Sequence, residues 1–224
     1  MLYRQVFVNM LRTRVTKRSP WPSPEERAQT REAKRDAVLR TAARLFKERG
    51  FPAVSLDDVA ARLNVTKPVI YRHFANKDQI LFECVSVALE QILEAAADAQ
   101  TGPGKARDRL LVMMRRYAVI MTEDAGMCVV RTGDHELSDA SRKEFRKLKR
   151  KIDQLIRSLI QEGIEDGSIA PCDVKMTSMA ITGALNWVAK WYRPNGGQSA
   201  EDVAISITSL LQKMLVTSAD EGKS

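Results

Sequence analysis

The sequence predicts an all-α protein, a three-helix helix-turn-helix head followed by a larger helical body. Three observations lead there. Apolar residues recur three or four positions apart through every long segment, and nowhere alternate as in a half-buried strand. Ser, Thr, Asp or Asn stands before these segments as a helix cap, several with an acidic or amide residue three positions on. Breaks rich in Gly and Pro, at residues 19–24, 102–104 and 193–197, divide one segment from the next. The predicted organisation is a disordered basic extension over residues 1–29, a head over 30–77 and a body over 78–218.

The extension reads either as a disordered tail or as a basic arm, Arg12, Arg14, Lys17 and Arg18, that follows DNA. It lacks the continuous apolar core of a secretory signal. A first helix is expected from about Thr30 to Arg49, stopped by Gly50. Val38, Ala42, Leu45 and Phe46 give it one buried stripe, closed over by Phe51 and Val54. Ser55 with Asp58 forms a capping box for a short second helix carrying Val59, Ala60 and Leu63. Asn64 ends it in a left-handed conformation, Val65 plugs the turn, and Thr66 caps a third helix. Pro68 fits only the first turn of that helix, which therefore starts near Lys67. It presents Lys67, Val69, Tyr71, Arg72 and His73, while Phe74 is expected in the core. Two short helices around a tight turn, with a basic and aromatic front, have the layout of a DNA reader.

A fourth helix, from about Asn76 to Ala97, is capped by Asn76 with Gln79 and runs out of the head into the body. Amphipathic helices follow over about 107–121 and 125–132, and a long one is expected to open at a Ser141–Glu144 capping box. The next, from Asp173 to about Tyr192, is apolar on more than one face and must be covered on both sides. Ser199 with Asp202 caps the last, whose stripe is Val203, Ile207, Leu210, Leu211 and Met214.

Composition narrows the function. A net charge of +8 favours a polyanionic partner. Two histidines, and three cysteines (Cys84, Cys128, Cys172) without paired spacing, leave no metal-ligand set and no disulfide framework. There is no phosphate-cradling glycine loop and no nucleophile motif, so neither an enzyme nor a cofactor is expected. No apolar run approaches the ~18–20 residues of a membrane span, and the expected location is the cytoplasm, with the nucleoid.

The stretches LFKERGF, SLDDVA and TKPVIYRHF followed by NKDQIL, in this order and spacing, resemble the tetracycline-repressor (TetR) family of bacterial transcription regulators. The resemblance implies that Lys67 faces base edges, that Pro68 and Val69 make apolar contact, and that Tyr71, His73 and Lys77 meet backbone phosphate. Ser55 and Thr66, at helix N-termini, join this set, and Arg72 stands where the family varies. It also implies a near-palindromic operator and a homodimer formed through the last two helices, about residues 173–192 and 200–216. The segment GALNWVAKWYRPNGG is similar to a branch of the family that senses acyl-coenzyme A thioesters. Met113, Tyr117, Met121, Arg131, Met179, Trp187, Trp191 and Arg193 are the expected effector-binding residues. The basic run from Arg142 to Lys151 is either a solvated face or a wall that attracts coenzyme A phosphates. The expected function is a dimeric repressor released by a small-molecule effector. The alternative is a DNA-bound scaffold that recruits a protein partner without any ligand.

Overall fold

The computed structural model describes residues 23–215, so the expected basic arm lies outside the described residues. Helix α1 spans Pro24–Arg49. Its start is a capping box: the Ser23 amide donates to Glu26 Oε2 at 2.7 Å and the Glu26 amide donates to Ser23 Oγ at 3.1 Å. Helix therefore begins before the expected Thr30, and the boundary drawn at residue 30 falls inside α1. The cause is compositional, because residues 24–36 are good helix formers with no apolar stripe for periodicity to reveal.

Helices α2 (Leu56–Arg62) and α3 (Lys67–Tyr71) follow. The Ser55–Asp58 capping box forms, Asn64 adopts φ 53°, and Pro68 sits in the first turn of α3. Thr66 takes the cap position of α3 but makes no side-chain cap hydrogen bond. Val38, Ala42, Leu45, Phe46, Val59, Ala60 and Phe74 are buried as expected. Val65 is not the plug of the turn: it is 38% exposed, and Ile70, at 0%, closes that core. The left-handed Asn64 turns the chain so that the residue after it points outward, while the fourth residue of α3 points in.

The rest is built around one helix. After α4 (Lys77–Thr101) come α5 (Ala106–Thr122), α6 (Asp124–Arg131), a 3-10 turn (Asp134–Glu136), α7 (Asp139–Glu165), α8 (Val174–Trp191), α9 (Ala200–Gln212) and a closing 3-10 turn (Lys213–Leu215). No strand occurs among the described residues. Helix α5 packs against α4, α6, α7, α8 and α9. Its Leu110, Met113, Met114, Ala118 and Met121 are all fully buried, which is why so many of its positions are apolar.

Polar ties fix the helix ends. Arg109, buried on α5, donates to the Ala99 and Gln100 carbonyls at 2.7 and 2.8 Å and pairs with Glu162. One guanidinium thereby satisfies carbonyls at the end of α4, which helix geometry leaves open, and binds that end to α7. Asp166, past the end of α7, accepts from the Ala106 amide at 2.9 Å and so serves the start of α5. The long helix α7 opens at Ser138, whose Oγ accepts from the Ser141 amide at 3.3 Å; the expected Ser141–Glu144 box does not form.

Candidate functional site

The front of α3 carries the first candidate site. Thr66, Pro68, Tyr71 and Arg72 are exposed there, with Lys67, Val69 and His73 partly buried. Tyr71 keeps 50% of its surface in solvent, which no core role accounts for. Lys67 is already engaged. Its Nζ donates to Asp57 Oδ2 at 2.8 Å, and that hydrogen bond and charge, with a smaller contribution from Tyr71, push its pKa up. Asp57 lies in the first turn of α2, so the pair joins the two helices of the motif from outside. Ser55 Oγ is likewise occupied, donating to Asp58 and accepting from the Asp58 amide.

Lys77 opens α4 beside this front. Its Nζ stands 4.2 Å from the centre of the Phe51 ring and 3.5 Å from the Pro52 carbonyl. Burial pushes its pKa down, while Glu136 and Asp58 push it up. The next residue, Asp78, is a junction. Its carboxylate accepts from the Ser138 amide at 2.7 Å, Ser138 Oγ at 2.9 Å and Ser141 Oγ at 2.8 Å. The first turn of α4 is thus held by the cap of α7.

A second set of contacts joins α1 to α6. Lys47 Nζ donates to Asp124 at 2.8 Å, Arg131 donates to the Lys47 carbonyl, and the Cys128 thiol lies 3.4 Å from the Ala43 carbonyl. Burial pushes the Cys128 pKa up to about 12, and it raises that of Cys84 as well; both are inert thiols at neutral pH.

The second candidate site is a cavity of about 590 Å³ among α4, α5, α6, α7 and α8, within the range of small-molecule sites. Leu89, Val129, Val130 and Ile152 give it an apolar floor, and Lys149, Arg157 and Lys175 bring positive charge to it. Lys149 also stacks over Phe145 at 4.6 Å and lines a neighbouring groove with Arg146, Arg150 and Asp153. Arg157 is paired with Asp153 at 2.7 Å.

Of the expected effector residues, Tyr117 and Met179 line this cavity. Met113 and Met121 are fully buried in the packing of α5 and do not border it. Arg131 is spent on the Lys47 carbonyl. Trp187 and Trp191 are 64% and 43% exposed on α8, and Arg193 donates to the adjoining Tyr192 carbonyl at 3.2 Å; none of the three lines the cavity. Sequence reasoning does not single out Lys175, Thr182 and Asn186, which do. Their signal is a row of polar residues that, with Met179, falls at i, i+4, i+7 and i+11 and so on one face of the helix.

Residues 38–84 match the family described as "Bacterial regulatory proteins, tetR family", and residues 103–215 match "Tetracyclin repressor-like, C-terminal domain". The HTH-type transcriptional repressor KstR2 of Mycolicibacterium smegmatis is 28% identical over 177 residues, covering 76% of this chain and 85% of its own. PfmR, a TetR family transcriptional regulator from Thermus thermophilus, superposes with a TM-score of 0.73 at 29% identity, over 80% of this chain and 99% of that one. AibR, solved in complex with isovaleryl coenzyme A and operator DNA, superposes with a TM-score of 0.69 at 25% identity, over 82% of this chain and 100% of that one.

Proposed function

This chain belongs to the TetR family of DNA-binding transcription regulators, which are not enzymes, and from that premise we propose that it is a dimeric repressor released from its operator by an acyl-CoA thioester. The observation that carries the effector reading is the cavity: an apolar floor able to take an acyl group, beside Lys149, Arg157 and Lys175, which attract phosphate. AibR, whose structure holds both isovaleryl coenzyme A and operator DNA, supports the same reading.

On DNA, Lys67 exchanges Asp57 for a base edge, guanine O6 and N7 being the acceptors that suit lysine. Pro68 and Val69 supply apolar contact, and Thr66, Tyr71, Arg72 and His73 contact phosphate. Ser55 approaches phosphate through the N-terminus of α2, and Lys77 does so by leaving the Phe51 ring. A twofold dimer sets two such fronts about 34 Å apart, one turn of DNA.

Dimerisation through α8 and α9 is supported by what they leave bare. Met176, Ala180, Gly183, Trp187 and Trp191 form one exposed face of α8, and Ile205, Leu210 and Met214 are exposed on or just after α9. A Cβ built at Gly183 meets nothing within 4 Å, so no neighbour in the protomer accounts for that glycine, while a partner helix crossing closely does.

Two routes couple the cavity to the head. Helix α6 gives Val129 and Val130 to the cavity and Asp124, Cys128 and Arg131 to α1. Helix α7 gives Lys149 and Ile152 to the cavity and, through Ser138 and Ser141, grips Asp78 beside Lys77. An effector that moves either helix shifts the spacing of the two fronts. The test is an anisotropy titration of DNA from upstream of the chain's own gene, with and without a panel of acyl-CoAs. Release by one thioester supports the proposal. Undiminished binding with every thioester would sink the effector reading in favour of the ligand-independent scaffold.

A further inference from the structure

The cavity wall holds a polar pair whose chemistry bears on which acyl group it takes. Tyr117 on α5 is 5% exposed, and its hydroxyl donates to Asn186 Oδ1 at 2.9 Å. That bond uses the amide oxygen and leaves the Asn186 NH₂, with two donors. The NH₂ has no hydrogen-bond partner among the described residues, and Asn186 lines the cavity. One turn earlier Thr182 spends its hydroxyl proton on the Ser178 and Met179 carbonyls, at 2.9 and 3.2 Å. The same cavity is lined by Leu89, Val129 and Ile152, whose side chains offer no hydrogen bond. Burial raises the pKa of Tyr117, so the phenol stays a neutral donor that fixes the amide's orientation.

Building on the reading of this cavity as the effector site, we infer that Tyr117 and Asn186 form a recognition site for a carbonyl oxygen carried by the acyl part of the effector. The effector class is then an oxo-substituted acyl thioester, with its ring or chain on the apolar floor and its keto oxygen accepting from Asn186. A plain hydrocarbon of the same shape covers the amide without replacing its hydrogen bonds, and that is the costly outcome. Sites built to hydrogen-bond one ligand atom discriminate strongly against the analogue that lacks it. The positively charged side chains already serve the phosphates, so this pair adds selectivity for the acyl group.

The experiment is isothermal titration calorimetry of the full-length protein with cyclohexanecarboxyl-CoA and its oxo derivatives at each ring position, and with the corresponding free acids. At least one oxo thioester is expected to bind about tenfold tighter than the parent, the order of one neutral hydrogen bond together with the cost of leaving it unmade. In Asn186→Leu, and independently in the near-isosteric Tyr117→Phe, the ratio of parent to oxo dissociation constants is expected to fall towards one. General damage to the fold lowers both affinities and leaves that ratio unchanged. Thioesters that bind without any preference for an oxo group overturn the carbonyl site and leave the acyl-CoA reading standing. Free acids that bind with the preference, while no thioester binds, overturn the acyl-CoA reading and leave the carbonyl site standing. No binding in either series overturns both.

Discussion

Lys67 is held by Asp57 in the free protein, so the proposed base contact requires that ion pair to break first. Both side chains are substantially exposed, which keeps the cost of the exchange small. Asp57→Asn is expected to raise affinity for operator and unrelated DNA alike, by about two- to fivefold, the scale of an exposed pair. Lys67→Ala is expected to weaken operator binding by roughly 5- to 150-fold and to relax specificity at one base position. Anisotropy titrations on operator and scrambled duplexes check both, and an unchanged Lys67→Ala protein contradicts the base contact. Phe74, 1% exposed, belongs to the core, and Phe74→Ala is expected to cost about 3–5 kcal/mol in a urea melt. At this scale the sequence is legible wherever a residue's chemistry has one use. Ser55, Asn64 and Pro68 each stand where cap, left-handed turn and first helical turn demand. Val65 misleads because an apolar residue in a turn looks like a plug, and only the direction set by Asn64 shows that it faces out. The Asp57–Lys67 pair is hidden in the sequence because it joins two helices whose relative angle no spacing reveals.

Helix boundaries carry their own tests. A Cβ at Gly126, in the first turn of α6, would lie 2.2 Å from the Ile120 carbonyl oxygen and 2.8 Å from Met121 Cα. Both are backbone atoms, so the corner between α5 and α6 must open to admit it. Gly126→Ala is therefore expected to destabilise by about 1–3 kcal/mol in chemical denaturation, and to loosen the helix that touches both cavity and α1. Asp166 gives a pH test. Hydrogen bonds from the Ala106 amide and from Ser168 hold its pKa below the ordinary carboxylate value. A carboxyl with a depressed folded pKa adds stability above its unfolded value, about 3.9, and loses it as pH falls through the lower folded value. Native protein should thus be more stable than Asp166→Ala at pH 7, with the part of that gap due to ionisation closing below about pH 3.9 in thermal melts. Elements with an apolar stripe or a capping box are legible in sequence, as α2 and α9 show. The start of α1 is not, since its first turns bury nothing, and the start of α7 shifts because Ser138 and Ser141 compete for the same role three residues apart.

For the whole molecule the proposed mechanism is a chain of contacts from cavity to DNA, doubled by a twofold axis. Trp187→Glu, on the bare face of α8, is expected to convert the dimer to monomer in sedimentation velocity and to abolish tight operator binding, while leaving helical content intact. A dimer that survives this change places the interface elsewhere. The presence of a helical body is legible, because periodicity reports which face of a helix is buried. The cavity is not, because it is space left where several helices fail to fill the interior, and periodicity does not distinguish a lining residue from a packed one. Met113 and Met121 attract attention for their adaptable side chains and prove to be packing, while Asn186, on the cavity wall, sits inconspicuously between Leu185 and Trp187. The most direct test joins the two sites: operator affinity measured by anisotropy with and without a saturating acyl-CoA whose binding has been confirmed by calorimetry. The proposed mechanism predicts that the thioester weakens operator binding by about 5- to 150-fold, a coupling of about 1–3 kcal/mol. An operator affinity that stays the same while the thioester is bound would contradict it.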